Sequence, residues 1–315
     1  MTRKQGLRNG PFHLLIWLAA LVVPVISVLL TYELLIGSFD SFKAFSYRFL
    51  IGTDWIPNPP RGLPSLGALP AIYGSVVTTL IGLLLAVPVS LGVALFQSEL
   101  APRVLRNLSV FLTEMLAAVP SVVYGLWGLL ILVPFMRDYI DPQLQSSLGF
   151  LPFFTGPTTG LGMFTAGVIL AVMVIPYASS IMREVVTAVP LSQREAMFAL
   201  GASEWETVRR SVLPYARTGI IAAVVLAMGR AIGETMAVTM VIGNVPRISP
   251  SLFLPAYTIP SIIANEFTEV AGNQVYLSAL IELGLILFLI AFLMNLAGRV
   301  VVNRLTIRTR GGSFA

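Results

Sequence analysis

The 315-residue chain contains no cysteine and a single histidine, His13. Without cysteine there is no disulfide framework, no thiolate metal site and no thiol nucleophile. His13 precedes an apolar run and reads as an interfacial residue rather than a ligand or base. Charge is scarce as well: 11% of residues are Asp, Glu, Lys or Arg, 56% are hydrophobic, and mean hydropathy is +0.86. Soluble domains carry about 25% charged residues, so this composition falls in the membrane class. The chain also lacks His or carboxylate clusters at metal-ligating spacing and any Gly-rich loop ending in Lys-Ser/Thr that could cradle phosphates. It therefore offers no cofactor or metal site, no catalytic centre, and no means of hydrolysing ATP on its own.

What is present is a series of apolar runs, at 14–36, 70–96, 108–135, 161–181, 218–242 and 275–297. Each reaches the length of about 20 residues that a helical membrane span requires. The first run follows Arg3, Lys4 and Arg8, as in a signal peptide. It is long and lacks a small-residue cleavage site, so it reads as an uncleaved span. The net charge of +5 points to topology rather than to nucleic acid. Six spans with both termini cytoplasmic place 14 of the 20 Lys and Arg inside and 5 outside, with Arg230 in the membrane. The expected fold class is an all-α membrane protein of about six transmembrane helices. Residues 37–69, with Trp55, Pro57, Pro59, Pro60 and Pro64, form an outer loop with interfacial aromatics. A re-entrant or interfacial helix is expected within 252–263.

One long polar segment, residues 189–214, interrupts the apolar pattern. Ser192 with Glu195 and Ser203 with Glu206 have capping-box spacing, which predicts two short helices. Gly201 separates them, and Pro214 ends or kinks the second. From cap chemistry alone, the segment is either a docking element or an amphipathic connector on the membrane surface. A second anomaly lies in the fifth run. Arg230 and Glu234 are four apart, so a continuous helix puts them on one face with Ala223, Ala227 and Ala237, beside a GxxxG pair at Gly229 and Gly233. A charge at the bilayer centre costs at least about 2.5–3.5 kcal/mol, so neither side chain should face lipid. Two roles stay open: a self-neutralising salt bridge that fixes packing, or a path for an anion. Glu114 and Glu282, near the ends of their spans, are expected to snorkel or to bond a neighbouring helix.

In Glu195, Ala196, Gly201, Leu213 and Pro214 the polar segment resembles the cytoplasmic EAA loop of the membrane subunits of ABC-type importers. Met197 and Ser211 depart from the usual Ala and Ile. The resemblance widens at Gly67 to Pro70, Tyr73-Gly74, Val119 to Gly128, Phe164 to Gly167, Arg183-Glu184 and Gly229 to Asn244. These stretches are similar to phosphate-specific ABC importer permeases of the PstC type. The resemblance implies a type I ABC importer permease fold, with residues 1–66 as N-terminal tail, first span and external loop, and 67–315 as the core carrying five spans and the coupling loop 189–214. It further implies a cytosolic ATPase dimer docking on Glu195, Ala196, Gly201, Leu213 and Pro214, a second, related permease in the same membrane, and an external phosphate-binding protein. Arg230 and Glu234 match residues implicated in phosphate passage. The alternatives are a permease for another oxyanion, such as sulfate or molybdate, or a secondary transporter with Glu234 carrying a proton.

Overall fold

The computed structural model describes residues 10–59, 64–270 and 272–311. Arg3, Lys4, Arg8 and Pro60 lie outside these residues, as do the side chains of Arg308 and Arg310. Among the described residues, six helices are long and apolar enough to cross a membrane. The first is α1, Gly10–Gly37, followed by two short outer helices, α2 (Phe39–Phe45) and α3 (Arg48–Ile51). A two-stranded antiparallel ribbon, β1 (Trp55–Ile56) with β2 (Ser65–Leu66), then leads into α4, Leu69–Leu100. Pro70 starts α4 at a position where its missing N–H is not needed. Next come α5 (Arg103–Ala118), α6 (Ser121–Leu148) and α7 (Met163–Thr187). The polar segment forms α8 (Leu191–Ala199) and the start of α9 (Glu204–Ile232). The chain ends with α10 (Met236–Ile242), α11 (Ile259–Glu266) and α12 (Gln274–Gly311).

The central helix is α7, which packs along α4 and also meets α9, α10 and α5. Small residues permit the close approach of α4 and α7. A Cβ on Gly167 would stand 2.4 Å from Ile81 Cγ2, and one on Gly82 would stand 3.0 Å from Leu170 Cδ2. In lipid, where apolar surface is not driven inward by water, such contacts hold helices together. Gly167→Ala is therefore expected to destabilise the bundle by about 1–3 kcal/mol through overpacking. A thermal melt of the purified protein in detergent checks this. Gly125 and Gly128 seat α6 on its neighbours: Gly125 against Met240 and Ala237, Gly128 against Val241 and Ile169.

The expected third span, 108–135, is two elements. Residues 103–118 form a strongly amphipathic helix that buries only Thr113. Val119 is extended at ψ 129°, as a residue before proline prefers, and the membrane-spanning α6 begins after Pro120. Gln97 at the end of α4 donates to Ser109 and Thr113 (both 2.9 Å), which folds α5 back along the bundle. Glu114 accordingly sits on α5 and pairs with Arg183 at 3.4 Å. Glu282 is buried on α12, facing Ser41 of α2.

The outer loop does more than float at an interface. Phe49 and Trp55 are buried against Tyr257, Ile259 and Tyr276. Trp55 Nε1 donates to Glu266 at 2.7 Å, and Tyr276 Oη donates to the same carboxylate oxygen at 2.5 Å. The helix expected within 252–263 starts later, at Ile259, and runs to Glu266, while the stretch before it is non-helical and buried or half-buried. Phe253, Ala256, Tyr257, Ile259 and Ile262 are buried, and Gly243 bridges to Ala256 inside the bundle.

Candidate functional site

Two places stand out: the polar loop at one end of the bundle, and a break in the fifth span. At the polar end, α8 starts at Leu191 with Pro190 as its N-cap and no side-chain cap, so the Ser192–Glu195 box does not form. With Pro190 as N-cap the helix starts two residues earlier than a Ser192 cap would set it, which puts Ser192 inside the first turn. The Ser203–Glu206 box does form: Ser203 Oγ accepts from the Glu206 N–H at 3.3 Å, and Glu206 Oε2 accepts from the Ser203 N–H at 3.0 Å. Gly201 turns the chain between them at φ +80°, a conformation that favours glycine.

Pro214 neither ends nor visibly breaks the second helix. A π turn over Val208–Val212 precedes it and takes up the lost hydrogen bond, so α9 runs unbroken from Glu204 to Ile232. The loop and the fifth span are one continuous helix of 29 residues, with about 43 Å of rise at 1.5 Å per residue.

Nothing on α8 is buried. Glu195, Ala196, Gly201 and Pro214 are exposed and Leu213 is half-buried. Between α8 and the base of α9 runs a cleft of about 450 Å³ lined by Ala196, Met197, Leu200, Arg210, Pro214 and Tyr215. The apolar side chains Leu191, Phe198 and Trp205 are exposed, and Leu200 is 84% exposed. Large apolar groups standing free on a polar loop mark an interaction surface. Sequence reasoning passed over Phe198 and Leu200; the available signal was apolar residues inside an otherwise polar island.

In the fifth span, Gly233 closes α9, and residues 233–235 are non-helical before α10 begins. Arg230 and Glu234 therefore do not share one face of a continuous helix. Glu234 Oε1 accepts from the Ala237 N–H at 3.4 Å, a local bond that competes with helix continuation. The salt bridge expected as one alternative is not formed: among the described residues, no carboxylate lies within ion-pair distance of Arg230. Its guanidinium lies over the Tyr177 ring instead, 5.3 Å from the centroid. The GxxxG pair makes no helix seam. A Cβ on Gly229 would stand 3.6 Å from Asn295 Nδ2, and among the described residues one on Gly233 would meet only the backbone of its own helix.

Leu226, Arg230, Gly233 and Met236 form an exposed stripe through the break. Arg230 is twelve residues past Thr218, about 18 Å along the helix, near the middle of a hydrocarbon core about 30 Å thick. Beyond the break, Thr239 Oγ1 donates to the Thr235 carbonyl at 2.7 Å and lies 2.9 Å from Ser261 Oγ, which is 2.7 Å from Thr258 Oγ1. Asn244, at φ +52°, donates to the Thr239 carbonyl at 2.9 Å and closes α10.

A six-span bundle with a bare helix at one end and an open, charged face at mid-depth is built as one part of a membrane permease. The family described as "Binding-protein-dependent transport system inner membrane component" matches residues 86–307. The backbone resembles that of a bacterial ABC transporter involved in the import of the acidic polysaccharide alginate (TM-score 0.54, 17% identity, 90% of this chain and 99% of that chain). It also resembles the MetNI methionine ABC transporter in an inward-facing conformation (TM-score 0.53, 15% identity, 75% and 94%). The fold is that of a type I ABC importer permease. The chain is 43% identical to the phosphate transport system permease protein PstC of Mesorhizobium japonicum, over 98% of this chain and 94% of that protein. Its identity to PstC of Pasteurella multocida is 46%, over 87% and 85%. It belongs to this PstC family of multi-pass inner-membrane permeases. As a permease subunit it is non-catalytic, and ATP hydrolysis resides on a separate ATPase.

Proposed function

We propose that the chain forms one half of the membrane path of an ATP-driven phosphate importer, with both termini in the cytoplasm and a related but different permease as the other half. The observation that carries this reading is Arg230: a guanidinium at mid-membrane, exposed, with no carboxylate partner among the described residues. Against lipid such a charge costs several kcal/mol, so a second subunit or a water-filled path must cover the Leu226–Met236 stripe. A guanidinium suits a tetrahedral oxyanion through paired, charge-assisted hydrogen bonds. Glu234 accepts from the Ala237 amide and does not pair with Arg230, which keeps the guanidinium donors free for an anion. The names of the relatives make phosphate the oxyanion, and membership in a binding-protein-dependent family favours ATP-driven import over proton coupling.

The ATPase docks on α8 at Glu195, Ala196 and Gly201 and at the Leu213–Pro214 edge of the cleft, with Phe198 and Leu200 as apolar anchors. Because α9 is continuous from Glu204 to Ile232, displacement at the loop reaches Arg230 through a rigid element, as alternating access requires. An external phosphate-binding protein delivers the anion on the opposite side. Residues 67–315 constitute the transport core and 1–66 an N-terminal addition, whose α1 packs on α12 at the edge of the bundle.

The test is phosphate uptake into proteoliposomes holding this chain, its partner permease and the ATPase, with the binding protein outside. Uptake that needs internal ATP and resists excess sulfate is the expected result. Uptake driven by a proton gradient without ATP contradicts the reading, and sulfate competition at equal concentration transfers it to another oxyanion.

A further inference from the structure

Arg194, within α8, makes contacts out of proportion to its place on an exposed helix. Its guanidinium grips Glu99 with two prongs, Nη2 to Oε1 at 2.7 Å and Nε to Oε2 at 3.2 Å. It also donates through Nη2 to the Val186 carbonyl at 3.1 Å and through Nη1 to the Val189 carbonyl at 2.5 Å. The two charged side chains are only 14% and 13% exposed, so water screens the pair weakly and the forked geometry is fixed. Beneath it, Val186, Val189, Val212 and Leu95 pack together.

The partners belong to different spans. Glu99 lies in the π turn that ends α4, and Val186 in the last turn of α7. Residues 188–190 already tie α8 to α7 covalently, and Gly201 ties it to α9. No covalent link joins α8 to α4, which is 95 residues away along the chain at Glu99. We propose that Arg194 is a positioning residue through which displacement of α8 is transmitted to α4, so that α4, α7 and α9 move together when the ATPase closes. The proposal rests on α8 being the ATPase-docking helix. Without the pair, α8 pulls on α7 and α9 alone, and the Glu99 end of α4 follows only through its packing on α7.

The experiment uses the assembled transporter in proteoliposomes, measuring ATP hydrolysed and phosphate taken up on one preparation. Arg194→Ala, Glu99→Gln and the double variant are compared with the parent. Glu99→Gln leaves the Arg194 bonds to the two carbonyls in place and keeps the loop folded if Arg194→Ala does not assemble. The expected result is copurification of the ATPase with all variants, continued hydrolysis, and about a tenfold fall in phosphate moved per ATP. The double variant should be no worse than either single one, because the two groups act as a unit. An unchanged ratio in Glu99→Gln, even with less complex recovered, overturns the proposal. A parent complex that moves no phosphate defeats the underlying importer reading instead.

Discussion

Arg230→Gln is expected to lower phosphate uptake about 100-fold while leaving the complex assembled and its ATPase bound. The charge lies in an exposed stripe and makes one ring contact, to Tyr177, worth about 0.5–1 kcal/mol to the fold. Its loss should scarcely move the melting temperature. Passage of a phosphate anion through a low-dielectric path depends on that charge far more heavily. Loss of about 2.7 kcal/mol of stabilisation at the barrier corresponds to the expected 100-fold. Arg230→Lys keeps the charge and loses the fork, and should retain about a tenth of the rate. Uptake per assembled complex is the quantity to compare. A complex that falls apart in both variants, with normal uptake in what survives, would assign Arg230 to packing.

Leu200→Asp should remove ATPase docking without unfolding the permease. Leu200 is 84% exposed, so the free chain gives up almost no buried surface on substitution. At an interface the same change deletes an apolar anchor and buries a carboxylate without a partner, which costs about 2 kcal/mol or more. The expected readings are an unchanged melt for the permease alone, affinity for the ATPase lowered about 30-fold, and uptake near background. Normal copurification would place the docking surface elsewhere on the loop.

Much of this was legible in the sequence. Four of the six apolar runs, the Ser203 box and the positive-φ turn at Gly201 follow from local chemistry and lie where the residues put them. The third span misled because the apolar face of α5 and the start of α6 read as one hydrophobic run. The helical period of Leu105, Leu108 and Leu112 and the pre-proline Val119 were the signals that divide it. The fifth span misled in the opposite sense, through a polar Gly-Glu-Thr interruption at 233–235 too short to lower the hydropathy of the run. The Arg194–Glu99 pair had no local signature, since only the packing of α4, α7 and α8 brings the two side chains together.

The absence of native cysteine makes the central claim directly testable. A single cysteine at Gly233 fits, because that backbone lies at φ −89° and meets no neighbouring helix. A second, at the exposed Val23 of α1, serves as the lipid-facing control. In the assembled transporter, a water-soluble thiol reagent should label Gly233→Cys and not Val23→Cys, and phosphate with its binding protein and ATP should slow the labelling. If Gly233→Cys reacts only with a lipid-soluble reagent and phosphate has no effect, the stripe around Arg230 faces lipid and the path lies elsewhere.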